Sequence, residues 1–125
     1  MPKILIADDQ ESMRTVIRLT LDSGHFDILE AADGARALEL ARAERPDVMF
    51  LDWTMPGPSG IEVCRELRGD PRTSGTKIVM VTGRAGVDEQ AAGFAAGADD
   101  YITKPFSPLE LLDKVAEVLG PEAFI

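Results

Sequence analysis

At 125 residues the chain has the length of one ordinary domain. Hydrophobic residues make up 45% and charged ones 28%, a globular balance, and no apolar run approaches the roughly 20 residues of a membrane helix. Twenty-two acidic against 13 basic residues give a net charge of −9, which argues against direct nucleic-acid binding. Cys64 is the only cysteine, so no internal disulfide forms and a reducing cytoplasm fits. With no charged segment followed by an apolar one at the start, no secretory signal or membrane attachment is expected.

In chain order, "KILIA" (3–7) opens as a continuous apolar run. Met13, Val16, Ile17 and Leu21 then repeat at helical spacing. "DILEA" (27–31) is a more polar strand, and Asp33 can cap a helix carrying Ala37, Leu38 and Ala41. "VMFL" (48–51) is again apolar throughout. Ser59 and Glu62 form a capping box ahead of Ile61, Cys64 and Leu67. "GDPRTSGT" (69–76) is the longest stretch without an element, and "IVMV" (78–81) follows it. Residues 88–96 make an alanine-rich helix and "YIT" (101–103) a short strand. Ser107, Pro108 and Glu110 start a last helix, whose stripe of Leu112, Val115, Ala116 and Leu119 stops at Gly120-Pro121. Three fully apolar strands flanked by two polar ones, alternating with helices, predict a doubly wound α/β domain: a five-stranded parallel sheet with five helices on its two faces.

Ligands of such sheets bind beyond the carboxyl ends of the strands. Asp8 and Asp9 follow the first strand, Asp52 the third, Thr82 the fourth and Lys104 the fifth. Each alone has an ordinary reading, a helix cap or a solvated charge; delivered together to one rim they form a site. Two carboxylates about 5 Å apart repel by roughly 3 kcal/mol at an effective dielectric near 20. Three of them against one lysine leave a charge that a divalent, oxygen-seeking cation cancels. Mg²⁺ fits better than Zn²⁺, because the only histidine is His25, on a turn, and no cysteine cluster exists. Mg²⁺ binds through few carboxylates plus phosphate oxygens, so the rim is suited to a phosphoryl group.

These residues resemble the receiver domains of two-component response regulators, including the stand-alone chemotaxis type, over essentially residues 1–125. The resemblance is carried by Asp8-Asp9, by "LDWTMPGPSG" around Asp52, by "VTG" ending at Gly83 and by "TKPF". It implies a flavodoxin-like fold with strand order 2-1-3-4-5. Asp52 is then the phosphoacceptor, loaded by a histidine kinase, a histidine phosphotransfer protein or a small phosphodonor. Asp9, Asp52 and the backbone carbonyl of Thr54 would hold Mg²⁺ directly, Asp8 mainly through a water. Thr82 and Lys104 would bind the phosphoryl group, Lys104 across a cis bond to Pro105, with Pro56 and Gly60 shaping the acceptor loop. Thr82 and Tyr101 would form the switch, the ring moving inward as the loop after the fourth strand closes. The face of helix 4, strand 5 and helix 5 would then bind an output protein or domain, or a second copy on phosphorylation. Thr54 and Arg84 would flank the path of the water that attacks the acyl phosphate, Arg84 either shielding it or lying in solvent. The implied protein is a cytoplasmic phosphoacceptor switch that catalyses its own phosphoryl transfer and dephosphorylation, and not an ordinary enzyme.

Three other readings fit these residues less well. A phosphatase of the haloacid dehalogenase type wants a second aspartate two residues after the nucleophile, where Thr54 stands. A flavodoxin-like electron carrier needs a hydroxyl-rich phosphate loop where Asp8-Asp9 would repel phosphate. A degenerate receiver acting only as a docking module would have lost a site residue, and none is lost.

Overall fold

The computed structural model describes residues 1–22, 24–83 and 86–120; Arg84 and the Pro121 end of the proposed stop signal lie outside them. The five strands form one parallel sheet in the order β2-β1-β3-β4-β5. They are β1 (Lys3–Ala7), β2 (Asp27–Ala31), β3 (Val48–Asp52), β4 (Lys77–Thr82) and β5 (Asp100–Thr103). The helices between and after them are α1 (Glu11–Leu21), α2 (Gly34–Glu44), α3 (Gly60–Gly69), α4 (Val87–Ala96) and α5 (Pro108–Leu119).

Strand alternation divides the apolar runs between two cores. Ile4 and Ile6 of β1, Val48 and Phe50 of β3, and Val79 and Val81 of β4 pack with Ile17 and Leu21 of α1 and Leu111 and Val115 of α5. Leu5, Met49, Leu51, Ile78 and Met80 point the other way, against Ala37 and Ala41 of α2, Val63, Cys64 and Leu67 of α3, and Ala96 of α4. Because both faces are covered, the central strands are apolar at every position between their ends. Three helices start on the expected caps: Asp33 accepts from the Arg36 N–H at 2.7 Å, Ser59 from that of Glu62 at 3.3 Å, and Ser107 from that of Glu110 at 3.2 Å.

The structure corrects three details. Val16 is 49% exposed, so the α1 stripe narrows to Ile17 and Leu21 with Met13 beside them. On α5, Leu111, absent from the predicted stripe, is fully buried with Val115, while Leu112 and Leu119 are only partly covered. The 69–76 segment is a run of turns held by hydrogen bonds. Thr73 donates to the Leu67 carbonyl at 2.8 Å and Thr76 to that of Pro46 at 2.8 Å. Arg68 gathers the carbonyls of Ser74 (3.0 Å), Thr76 (2.6 Å) and Gly97 (2.8 Å) and pairs with Asp99 at 2.6 Å. Among the described residues no helix is long and apolar enough to cross a membrane.

Candidate functional site

The rim is assembled by strand ends in register. β3 runs one residue further than the apolar pattern suggests, so Asp52 is its last residue, level with Val81 of β4. β4 likewise ends on Thr82, level with Thr103 of β5. Asp8 follows β1, its N–H donating to the Ala31 carbonyl of β2 at 3.1 Å. Lys104 follows β5, its N–H donating to the Thr82 carbonyl at 2.7 Å, and the Lys104–Pro105 bond is cis.

The side chains converge from there. One oxygen from each of Asp8, Asp9 and Asp52 lies within 4.8 Å of the other two. Lys104 Nζ sits 3.0 Å from Asp8 Oδ2 and 3.6 Å from Asp52 Oδ1. Asp8 is buried and also accepts the Gln10 N–H at 2.9 Å. Its backbone is fixed by Arg14, which donates to the Asp8 carbonyl at 2.7 Å and is itself held by Glu30 at 3.2 Å. Asp9 is exposed. A cavity of about 480 Å³ opens over the cluster, lined by Asp9, Gln10, Asp52, Thr54, Met55, Pro56 and Lys104.

Asp52 is 4% exposed. Burial, and then the neighbouring Asp8 charge, push its carboxyl up to about 6, against the pull of Lys104 and of the Thr54 N–H. It is therefore mostly ionised at neutral pH yet more basic than a free aspartate.

The loop after Asp52 is held close by a glycine. The Gly60 N–H donates to the Trp53 carbonyl at 2.9 Å, and a Cβ there would fall 2.5 Å from the Asp52 carbonyl oxygen. Trp53 turns to the opposite face of the sheet, as alternation requires. Its ring meets that of Tyr101 edge-on at a centroid distance of 6.4 Å. A Cβ on Gly93 of α4 would lie 3.5 Å from Trp53 and 3.8 Å from Tyr101, so the two rings meet under that glycine. Tyr101 is 9% exposed and packs into the core on the α2, α3 and α4 side of the sheet. Thr82 is buried but does not line the cavity. Asp8, Asp9, Asp52, Thr54 and Lys104 thus form one group, with Thr82 and Tyr101 on the strands beside it. Sequence reasoning missed the Gln10 and Thr54 N–H groups, whose roles depend on backbone geometry, and Arg14, whose guanidinium reaches the Asp8 carbonyl only in the folded chain.

The donor set is all oxygen, closely spaced, with one exposed carboxylate and no histidine or cysteine in the cluster. That suits a small hard cation such as Mg²⁺ and is poor for Zn²⁺.

The family described as the response regulator receiver domain matches residues 4–116. The phosphate regulon transcriptional regulatory protein PhoB of Rhizobium meliloti (strain 1021) is 42% identical over 120 residues, 95% of this chain and 52% of that protein. The chain thus spans about half the length of the curated relatives it matches. Chemotaxis protein CheY4 of Vibrio cholerae superposes with a TM-score of 0.89 at 34% identity, covering 94% of this chain and 98% of that one. The receiver domain of sensor histidine kinase PA1611 from Pseudomonas aeruginosa PAO1 superposes with a TM-score of 0.87 at 28% identity, covering 95% and 98% of the two chains. That structure has a magnesium ion coordinated in its active-site cleft.

Proposed function

The chain belongs to the response regulator receiver domain family, and from that premise we propose that residues 1–125 are one receiver domain in which Asp52 accepts the phosphoryl group. Receivers of two-component systems are phosphoacceptor switches served by histidine kinases. The observation that carries the assignment is the convergence of three carboxylates, with oxygens within 4.8 Å of one another, on a lysine shared between Asp8 and Asp52.

In this reading an Asp52 carboxylate oxygen attacks the phosphorus of a phosphohistidine or a small acyl phosphate. The bond from phosphorus to the donor nitrogen or oxygen breaks, its electron pair leaves with the donor, and Asp52 becomes a mixed anhydride. With a pKa of about 6, about nine-tenths of the molecules carry the nucleophilic carboxylate at pH 7. Asp8, Asp9, Asp52 and the Thr54 carbonyl would hold Mg²⁺, which when bound neutralises carboxylate and phosphoryl oxygens. Gln10 and Arg14 keep Asp8 in place during this exchange.

Phosphorylation replaces one negative charge by roughly two and adds three strong acceptor oxygens. Lys104, already 3.6 Å from Asp52, transfers its pairing to the phosphoryl group, and the Thr82 hydroxyl donates to it from the end of β4. The chain after Thr82 is drawn toward the site. Tyr101 and Trp53, packed under Gly93, report that movement to the face of α4, β5 and α5, where an output protein or domain of the cytoplasm binds. Self-catalysed transfer and hydrolysis follow from the same residues, since a small phosphodonor needs no kinase active site.

Mass spectrometry after mixing with Mg²⁺ and acetyl phosphate tests the assignment. A labile gain of one phosphoryl group, lost in Asp52→Asn, is expected. Persistent one-for-one labelling of that variant would sink Asp52 as the acceptor, and no gain in the wild type would leave a docking module.

A further inference from the structure

The charge on the α4, β5 and α5 face has one sign. Its elements of 10, 4 and 12 residues carry Asp88, Glu89, Asp100, Glu110, Asp113 and Glu117, with Lys114 as their only basic residue. Lys114 is not available to a partner, because its Nζ lies 3.1 Å from Asp100 Oδ1 and 3.3 Å from Glu117 Oε2. Acidity alone would be a solvated surface, but this face also has relief. A cleft of about 310 Å³ runs between β5 and α5, with Tyr101, Ile102 and Thr103 on the strand side. On the helix side stand Lys114 and the carboxylates of Glu110, Asp113 and Glu117. Their spacing of three and then four residues puts those carboxylates in a row along one side of α5. Across β5, Phe94 of α4 is 47% exposed and offers an apolar edge.

We propose that the occupant of this cleft is a cationic amphipathic helix of another protein or domain, and not a second copy of this chain. Lysines or arginines at matching helical spacing would set their charged heads against Glu110 and Asp113, the two carboxylates of the cleft that Lys114 does not pair. Their alkyl stems and the helix's apolar residues would cover the cleft and Phe94. A two-fold pairing through the same face brings like patches together, since an isologous interface presents each surface to its own copy. Glu110, Asp113 and Glu117 would then meet their own copies, with Lys114 of each chain already paired within it. The inference rests on the reading of this face as the output surface and adds the chemistry of what it receives.

The test uses the full chain with Mg²⁺, with and without beryllofluoride as a phosphoryl mimic. The probes are two synthetic amphipathic helices that share an apolar side, one with lysines and one with glutamates at the polar positions. The lysine helix should bind the beryllofluoride form, shift the amides of Tyr101, Lys114 and Glu117, and weaken as salt rises. Asp113→Lys with Glu110→Lys should lower its affinity by about tenfold or more. The isosteric pair Asp113→Asn with Glu110→Gln should lower it by less, while both variants keep the wild-type circular dichroism. Sedimentation should give a monomer in the beryllofluoride form. Equal binding of the glutamate helix, indifference to charge reversal, or a dimer closed through this face would overturn the proposal. Amide shifts on adding beryllofluoride alone separate the two levels. If this face does not respond, its reading as the output surface fails; if it responds and the lysine helix does not bind there, only the partner chemistry fails.

Discussion

Replacing Asp52 by asparagine should make the metal-free protein more stable at neutral pH, although it removes the proposed phosphoacceptor. Asp52 ionises near pH 6 in the folded chain and at 3.8 in the unfolded one. A carboxyl whose folded-state pKa is raised stabilises the fold only while protonated. Its contribution is complete below pH 3.8 and is lost as pH rises through 6. The difference of about 2 pKa units corresponds to about 3 kcal/mol of destabilisation at pH 7.5, and to about 1 kcal/mol at pH 4.5. Asp52 is almost fully buried, so this figure is not heavily discounted for solvent. Asparagine keeps the volume without the charge, and Lys104 retains Asp8 at 3.0 Å. Urea unfolding in EDTA should therefore place Asp52→Asn above wild type by 1–3 kcal/mol (roughly) at pH 7.5, with the gap narrowing at pH 4.5. Saturating Mg²⁺ should reverse the order, because wild type gains the binding free energy of a ligand the variant holds weakly. If the variant is less stable than wild type in EDTA at pH 7.5, or the gap does not shrink on acidification, the account of Asp52 as a strained buried charge is wrong.

Other consequences can be checked as directly. Lys104→Ala should still take a phosphoryl group from acetyl phosphate yet lose the amide shifts of the α4, β5 and α5 face; an unchanged response would remove Lys104 from the coupling. Tryptophan fluorescence from Trp53 should change saturably with Mg²⁺, fitting one site, and Asp9→Ala should weaken that titration by tenfold or more (roughly), since few protein ligands share the ion. Gly60→Ala should cost about 2–4 kcal/mol in urea unfolding, because its Cβ would meet backbone 2.5 Å away; a cost under 1 kcal/mol (roughly) would mean the loop yields easily.

The strands were legible because burial on both faces writes itself as unbroken apolar runs, and "KILIA", "VMFL" and "IVMV" are three of them. The order of the strands was not legible from those runs; it came from the family likeness. Helix starts were clear where one side chain satisfies a nearby N–H, as at Asp33, Ser59 and Ser107. Helix faces were less so. On α5 the neighbouring leucines Leu111 and Leu112 both suit an apolar stripe, and only packing on the sheet decides for Leu111. The rim residues could be found because charged and hydroxylic residues at the ends of apolar strands stand out. The raised pKa of Asp52 could not, since it depends on how deeply the third strand sits and how near Asp8 comes. The order in the 69–76 segment also escaped, because Arg68 supplies it from the preceding helix.

The grip of Arg68 bears on how α4 can move. Its guanidinium holds Gly97 just past the end of α4 and Asp99 just before β5, while Cys64 Sγ lies 3.4 Å from the Ala96 carbonyl. Gly97 has φ +111° and passes so close that a Cβ would sit 2.5 Å from Arg68 Cγ. At the other end, Gly86 caps the helix with no side-chain bond, and the buried positions described on α4, Gly93 and Ala96, are both in its second half. With its described anchors at the Gly97 end, the helix would pivot there as its fulcrum and move most toward Thr82. Ten residues make an arm of about 15 Å, so a swing of about 10° carries the tip roughly 2.5 Å and the fulcrum hardly at all. A pull at the proposed phosphorylation site would act on the tip, so the displacement would be greatest beside Asp88 and Glu89 and fade toward Gly97.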